Sequence, residues 1–180
     1  MKVVSFYTSD NEFAGDYYSR SATELMEQAE ALGLEHCIVN FDPQPVGDAE
    51  DWFSVTRVKP LLLLNLLNLL QEDLLWVDAD CKLTAIPTVR DAPLINLNMK
   101  SATQPAVFTL WIPNNAQSRA TLWKWYEACL KGEAGDHDVL IELWPKIRQN
   151  FAIFAESPAV LEHESGNYQK TKLWRKRHGK

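Results

Sequence analysis

Four apolar residues, Leu74-Leu75-Trp76-Val77, run straight into Asp78-Ala79-Asp80. A short apolar run that stops at acids reads as a buried strand ending at a polar edge. Successive side chains of an extended chain alternate faces, which puts Asp78 and Asp80 on one side and Ala79 on the other. Two hard carboxylates together suit Mg²⁺ or Mn²⁺, which leave coordination positions open for substrate phosphates. An Asp-x-Asp triplet alone is weak evidence, and a second stands at Asp136-His137-Asp138. The first gains weight from its place, because open α/β sheets bind ligands at the C-terminal ends of their strands. The alternative is a solvated turn.

The remaining pattern predicts an α/β domain. Val3 to Tyr7 reads as a strand, followed by a polar turn. Ala22, Leu25, Met26, Ala29 and Leu32 recur at helical spacing, and Gly33 supplies the stop. His36 to Phe41 reads as a second strand, and residues 42–51 as a Pro/Gly/Asp-containing loop. The Leu61–Leu70 run is too short for a bilayer, which needs roughly 20 apolar residues. With Pro60 in its first turn and Asn65, Asn68 and Glu72 on one polar stripe, it reads as a largely buried helix beneath the Asp78 strand. Strands alternating with helices imply a mostly parallel central sheet flanked by helices. Further on, 94–97, 106–111 and 151–154 read as strands, and 116–130 and 138–149 as helices, the first with Leu122, Trp125, Tyr126 and Cys129 inward.

At 180 residues and 46% hydrophobic composition the chain is most simply one domain with one core. Cys37, Cys81 and Cys129 are odd in number and scattered, so neither a disulfide framework nor a thiolate zinc site is indicated, and a reducing cytoplasm fits. The N-terminal apolar run is too short for a signal-peptide core, so export is not expected. Net charge is −6, yet six cations from Lys170 to Lys180, Lys170 and Lys172 among them, put +6 on the last eleven residues and leave −12 on the rest. Residues 1–169 therefore read as the domain and 170–180 as a basic tail, either phosphate-binding or simply solvated.

The segment Trp52-Phe53-Ser54-Val55-Thr56-Arg57-Val58-Lys59-Pro60, the Leu-rich helix, Leu74–Asp80 and Pro87 together resemble the core of GT-A-type glycosyltransferases. Gly135–Leu140 is similar to that family's late Asp-Gln-Asp-x-Leu segment, with His137 in place of Gln, and Leu161-Glu162-His163 resembles its late metal-binding histidine.

The resemblance implies a single Rossmann-like GT-A domain that moves a sugar from a nucleotide-diphosphate sugar, UDP-linked, to an acceptor hydroxyl. Tyr7, Thr8 and Ser9 would hold the base, and Lys59 the diphosphate or donor sugar. Asp78, Asp80 and His163 would bind Mn²⁺ or Mg²⁺, with Asp78 also near the ribose. Lys170 and Lys172 would neutralise the leaving diphosphate. Asp136 and Asp138 would stand on the donor-sugar and acceptor side, as hydroxyl ligands or catalytic base. Each has a plainer reading: strand-end residues for Tyr7 and Thr8, a surface lysine for Lys59, an exposed histidine for His163, helix capping for Asp138.

A saccharide or lipid-linked glycan is the default acceptor. The basic end with Trp111, Tyr168 and Trp174 also permits a hydroxylated base of modified phage DNA. A haloacid-dehalogenase-type phosphatase fits less well, since Lys82 stands where that pattern wants Thr or Val. A sugar-nucleotide pyrophosphorylase would need a Gly-rich, Arg-containing loop that residues 8–17 lack. A non-enzymatic nucleotide-sugar-binding domain is the remaining alternative.

Overall fold

A computed structural model of the chain describes residues 1–8, 15–41, 52–89, 93–132 and 134–161. Strand β1 (Lys2–Tyr7), helix α1 (Gly15–Ala31) and strand β2 (Glu35–Asn40) form the first unit. Helices α2 (Trp52–Arg57) and α3 (Lys59–Leu70) lead into β3 (Leu74–Val77) and the short β4 (Cys81–Leu83). Then come β5 (Ile95–Ser101), β6 (Gln104–Ile112), α4 (Ala116–Lys131), α5 (Asp136–Ile147), a 3₁₀ turn, β7 (Phe151–Ile153) and β8 (Ala159–Leu161).

Six strands form the central sheet in the order β2-β1-β3-β6-β5-β7, and β4 pairs with β8 in a separate two-stranded ribbon. β1 pairs in parallel with β2 and β3, and β5 with β7, whereas β6 runs antiparallel to both its neighbours. The sheet is therefore mostly parallel, with β6 reversed.

Alternation along the strands divides the core into two layers. Val4, Leu74 and Trp76 face α3, α4 and α5, where Leu63, Leu67, Leu122, Trp125 and Leu140 are fully buried. Val3, Leu75 and Val77 face the other way, toward Leu25 and Ala29 of α1. Each of these large side chains contributes roughly 1.5–3 kcal/mol by leaving water.

Several boundaries differ from the sequence expectation. The Leu-rich helix stops at Leu70, where Gln71 adopts a left-handed cap at φ +56°. Glu72 therefore lies outside the polar stripe assigned to it, and pairs instead with the Met1 ammonium at 3.1 Å and Lys2 at 3.2 Å. Leu69 is exposed, because the helix buries one face rather than all of its circumference. The last long helix begins at Asp136 rather than Asp138, with Gly135 as its cap and no side chain capping it. That disposes of capping as the role of Asp138, although its charge in the first turn complements the helix dipole. Tyr126 is only half-buried and packs against Trp123 on the outer side of α4. Strands β4 and β8, three residues each, carry too short a pattern to read.

Gly33 ends α1 at φ +69°, and a Cβ there would meet nothing within 4 Å. Its replacement by alanine is thus a pure backbone effect, expected to cost roughly 1–2 kcal/mol. Equilibrium urea unfolding should show this as a lower midpoint with an unchanged slope.

Candidate active site

The site begins at Lys59, the first residue of α3, held there by Pro60 in the same turn. Its side chain points into the protein and the residue is only 4% exposed. The ammonium lies 2.9 Å from Asp78 Oδ1 and 2.9 Å from Asp136 Oδ2, so one buried cation bridges two acids far apart in sequence. The two carboxylate oxygens are consequently no more than twice that distance apart. The Asp78 contact is an aligned hydrogen bond, and the fully buried Asp136 Oδ2 meets the same ammonium as an ion pair. Burial by itself would lower the Lys59 ammonium, but Asp136 and Asp78 outweigh it and hold it above the ordinary lysine value. The surface-lysine reading fails.

Trp76 completes the floor. Two residues before Asp78 on the same face, it donates from Nε1 to Asp78 Oδ1 at 2.8 Å, and its ring lies 5.2 Å from the Lys59 ammonium. Asp78 Oδ1 thus accepts from two donors, leaving the second oxygen for a cation. Trp125 on α4 fixes the other side by donating from Nε1 to the Asp136 carbonyl at 3.0 Å.

A cavity of about 260 Å³ opens above this floor, at the C-terminal ends of β1 and β3. Tyr7 and Thr8 from the exit of β1, Lys59, Asp78, Asp80 and Asp136 all line it. Sequence alternation is not what unites Asp78 and Asp80. β3 stops at Val77, and Asp78 to Cys81 form a turn closed by Cys81 N–H donating to the Asp78 carbonyl at 2.9 Å. Asp80 sits at the seam between the two faces, lining both this cavity and a smaller polar one of about 50 Å³ against α1.

Asp138 is exposed and does not line the cavity. Ser9, His163, Lys170 and Lys172 lie outside the described residues, as do Tyr168 and Trp174. The cavity adds residues that sequence reasoning did not assign to it, namely Tyr18 from α1, Thr56 from α2, Trp76, Lys100 from β5, and His137. For Trp76 a signal existed, since the i, i+2 rule that aligned the acids also sets it beside Asp78. Tyr18 and Lys100 arrive through tertiary folding and carry no local mark. Burial, then the charges of Asp80, Tyr17 and Asp78, push the Tyr18 phenol well above its usual value, so it remains a hydroxyl donor. Burial also pushes the Cys81 thiol up strongly and Cys129 up to about 12, which removes both as thiolate nucleophiles.

Asp78, Asp80 and Asp136 carry one negative charge more than Lys59 and the exposed Lys100 offset. The donor set fits a hard divalent cation: two carboxylates from Asp78 and Asp80, with other positions left to water and phosphate oxygens. Among the described residues no three His, Cys, Asp or Glu side chains converge on one metal position. Trp76→Phe tests the arrangement, because it keeps the ring above Lys59 and deletes only the N–H to Asp78. Outer-sphere losses of this kind typically cost about 10–100-fold in metal affinity, and Mn²⁺ titration of the variant should read that drop.

No family model matches the sequence, and no curated protein matches it. Solved structures do. The chain superimposes on a glycosyltransferase involved in the glycosylation of the major capsid of PBCV-1 with a TM-score of 0.65 at 10% identity, covering 97% of this chain and 98% of that one. It matches the apo-form glycosyltransferase GlyE of Streptococcus pneumoniae TIGR4 with a TM-score of 0.56 at 13% identity, over 97% of this chain and 49% of that one. A third match, at a TM-score of 0.51 and 10% identity, is the galactosyltransferase LgtC in complex with donor and acceptor sugar analogs, covering 85% of this chain and 73% of that one. The fold of this chain is that of the GT-A-type glycosyltransferases.

Proposed function

We propose that this chain is a metal-dependent glycosyltransferase moving a sugar from a UDP-linked donor to an acceptor hydroxyl. The observation that carries this reading is the buried Lys59 bridging Asp78 and Asp136 beneath a cavity at the strand ends of a GT-A-type fold. Tyr7 stacks on the base and Thr8 hydrogen-bonds to it, with Ser9 alongside. Asp78 and Asp80, with His163, would hold Mn²⁺ or Mg²⁺, which when bound would supply positive charge against the leaving diphosphate. Without that ion an acidic cavity would repel a diphosphate.

Lys59 keeps Asp78 and Asp136 at a fixed separation, so the metal side and the sugar side of the site are positioned by one cation. Asp136 accepts from donor-sugar hydroxyls. Asp138, on the exposed side of the same turn, meets the acceptor outside the cavity. Lys170 and Lys172 add charge at the departing diphosphate, which matters because that charge grows as the glycosidic bond breaks. The acceptor is a saccharide or lipid-linked glycan, with hydroxymethylated DNA as the competing case. No helix of the described residues is long and apolar enough to cross a membrane.

The test is a panel of UDP- and GDP-linked sugars, each with Mn²⁺, scored by thermal shift and by nucleoside-diphosphate release, with Asp80→Ala as control. Metal-dependent stabilisation with release supports the transferase. Stabilisation with no release to water, saccharides or DNA identifies a binding domain, and no response to any nucleotide ends the reading.

A further inference from the structure

His137 lines the cavity beside Asp136, and its Nε2 lies 2.9 Å from the Pro105 carbonyl of β6. A carbonyl oxygen only accepts, so Nε2 must carry the proton, and in the neutral ring Nδ1 is then an unprotonated acceptor. The contact fixes both tautomer and ring orientation, the service that a backbone carbonyl commonly renders a working imidazole. Its anchor is built into the sheet: Pro105 pairs with Met99, immediately before a register shift in the β5–β6 ladder. Bulges of this kind re-aim groups near functional sites.

The other candidates for proton acceptor are occupied or displaced. Asp136 Oδ2 faces the Lys59 ammonium, and Asp78 Oδ1 accepts from Lys59 and Trp76. Asp80 is assigned to the cation. Asp138 is outside the cavity lining. Among the described residues lining the cavity, His137 is the imidazole, and it is held with one nitrogen bare.

We propose that His137 is the general base of the transfer, a role that rests on the transferase reading above. The acceptor oxygen forms its bond to the anomeric carbon while the bond from that carbon to the diphosphate oxygen breaks, its electron pair leaving on the phosphate. The acceptor's hydroxyl proton passes to Nδ1, giving an imidazolium whose Nε2–H bond to the Pro105 carbonyl becomes charge-assisted. The proton returns to water after the product departs.

His137→Gln separates this role from that of a mere clamp. The Gln amide N–H reaches toward the Pro105 carbonyl as Nε2 does, but no basic nitrogen remains. The probes are UDP-glucose, UDP-galactose, UDP-N-acetylglucosamine and GDP-mannose with Mn²⁺, assayed on the full chain for nucleotide release with water as acceptor, with and without sodium azide. Azide is an anionic nucleophile with no proton to lose.

Wild type should release nucleotide, and His137→Gln should be slower by about 10²–10⁴-fold. Its donor KM and its Mn²⁺–UDP thermal shift should stay within a few-fold and a degree or so of wild type. Azide should restore turnover and yield a glycosyl azide detectable by mass spectrometry. Unchanged release in His137→Gln overturns the base while leaving the transferase intact. So does a loss that azide fails to rescue, which makes His137 a wall or clamp. If wild type releases nucleotide from none of the donors with water, saccharide or DNA as acceptor, the transferase reading falls and the base with it.

Discussion

Asp80→Ala is expected to abolish the Mn²⁺-dependent stabilisation by UDP and to lower turnover by more than ~100-fold, a larger loss than outer-sphere changes produce. The substitution removes no apolar core contact, because Asp80 lies on a half-exposed turn outside both core layers. Deleting it also removes one of three clustered negative charges. A nucleotide present at 100 times its dissociation constant stabilises the native state by about 2.7 kcal/mol. In a chain of this size that corresponds to a Tm rise on the order of 5–10 °C. Thermal shift with UDP alone, Mn²⁺ alone and both together should therefore show a large joint effect in wild type and none in the variant. A variant that kept the joint shift would place the cation elsewhere and remove Asp80 from the site.

The second large effect lies in Lys59→Met. The substitution preserves length and bulk but leaves Asp78 and Asp136 facing each other with no buried cation between them. Breaking a buried pair by removing one partner typically costs about 3–5 kcal/mol, because the charge left behind is uncompensated. For this chain that corresponds to a Tm fall on the order of 10 °C.

The pH dependence follows from the direction of the Lys59 shift. A group held above its unfolded value stabilises fully below that value, ~10.4 for lysine, and loses the effect only as pH climbs through the higher folded one. The gap between wild type and variant is therefore flat in Lys59's contribution across neutral pH and narrows only in strongly alkaline solution. Adding Asp136→Asn to Lys59→Met should recover part of the lost stability by removing one stranded charge. A Tm change under about 1 °C for the single variant would mean that the ion pair is solvated rather than buried.

How far the sequence reveals this protein depends on range. The Leu74–Val77 strand with acids at its end, the Gly33 stop and the α/β class follow from local periodicity and punctuation, which tertiary structure left in place. Strand alternation predicts that Asp78 and Asp80 share one side, and both line the cavity, but a turn rather than a continued strand brings them there. Periodicity cannot distinguish these where a strand ends, because both present the acids at the edge. Lys59 was legible as a site residue only through resemblance. Its burial, and its bond to Asp136 across 77 positions, arise from the packing of α3 against α4 and α5, which no local pattern encodes. Tyr18 and Lys100 stayed hidden for the same reason.

The reversal of β6 divides the labour of the cavity between two kinds of structure. Its floor, comprising Lys59, Asp78, Asp136 and Trp76, is locked into the parallel half of the sheet and the helices behind it. Part of its wall comes instead from a hairpin whose connection at Ala102 and Thr103 is exposed and overhangs the strand ends. Insertions or exchanges at that tip can reshape what the wall admits without moving the ion pair beneath. An altered tip would therefore vary the opening of the cavity while the ion pair beneath it keeps its place.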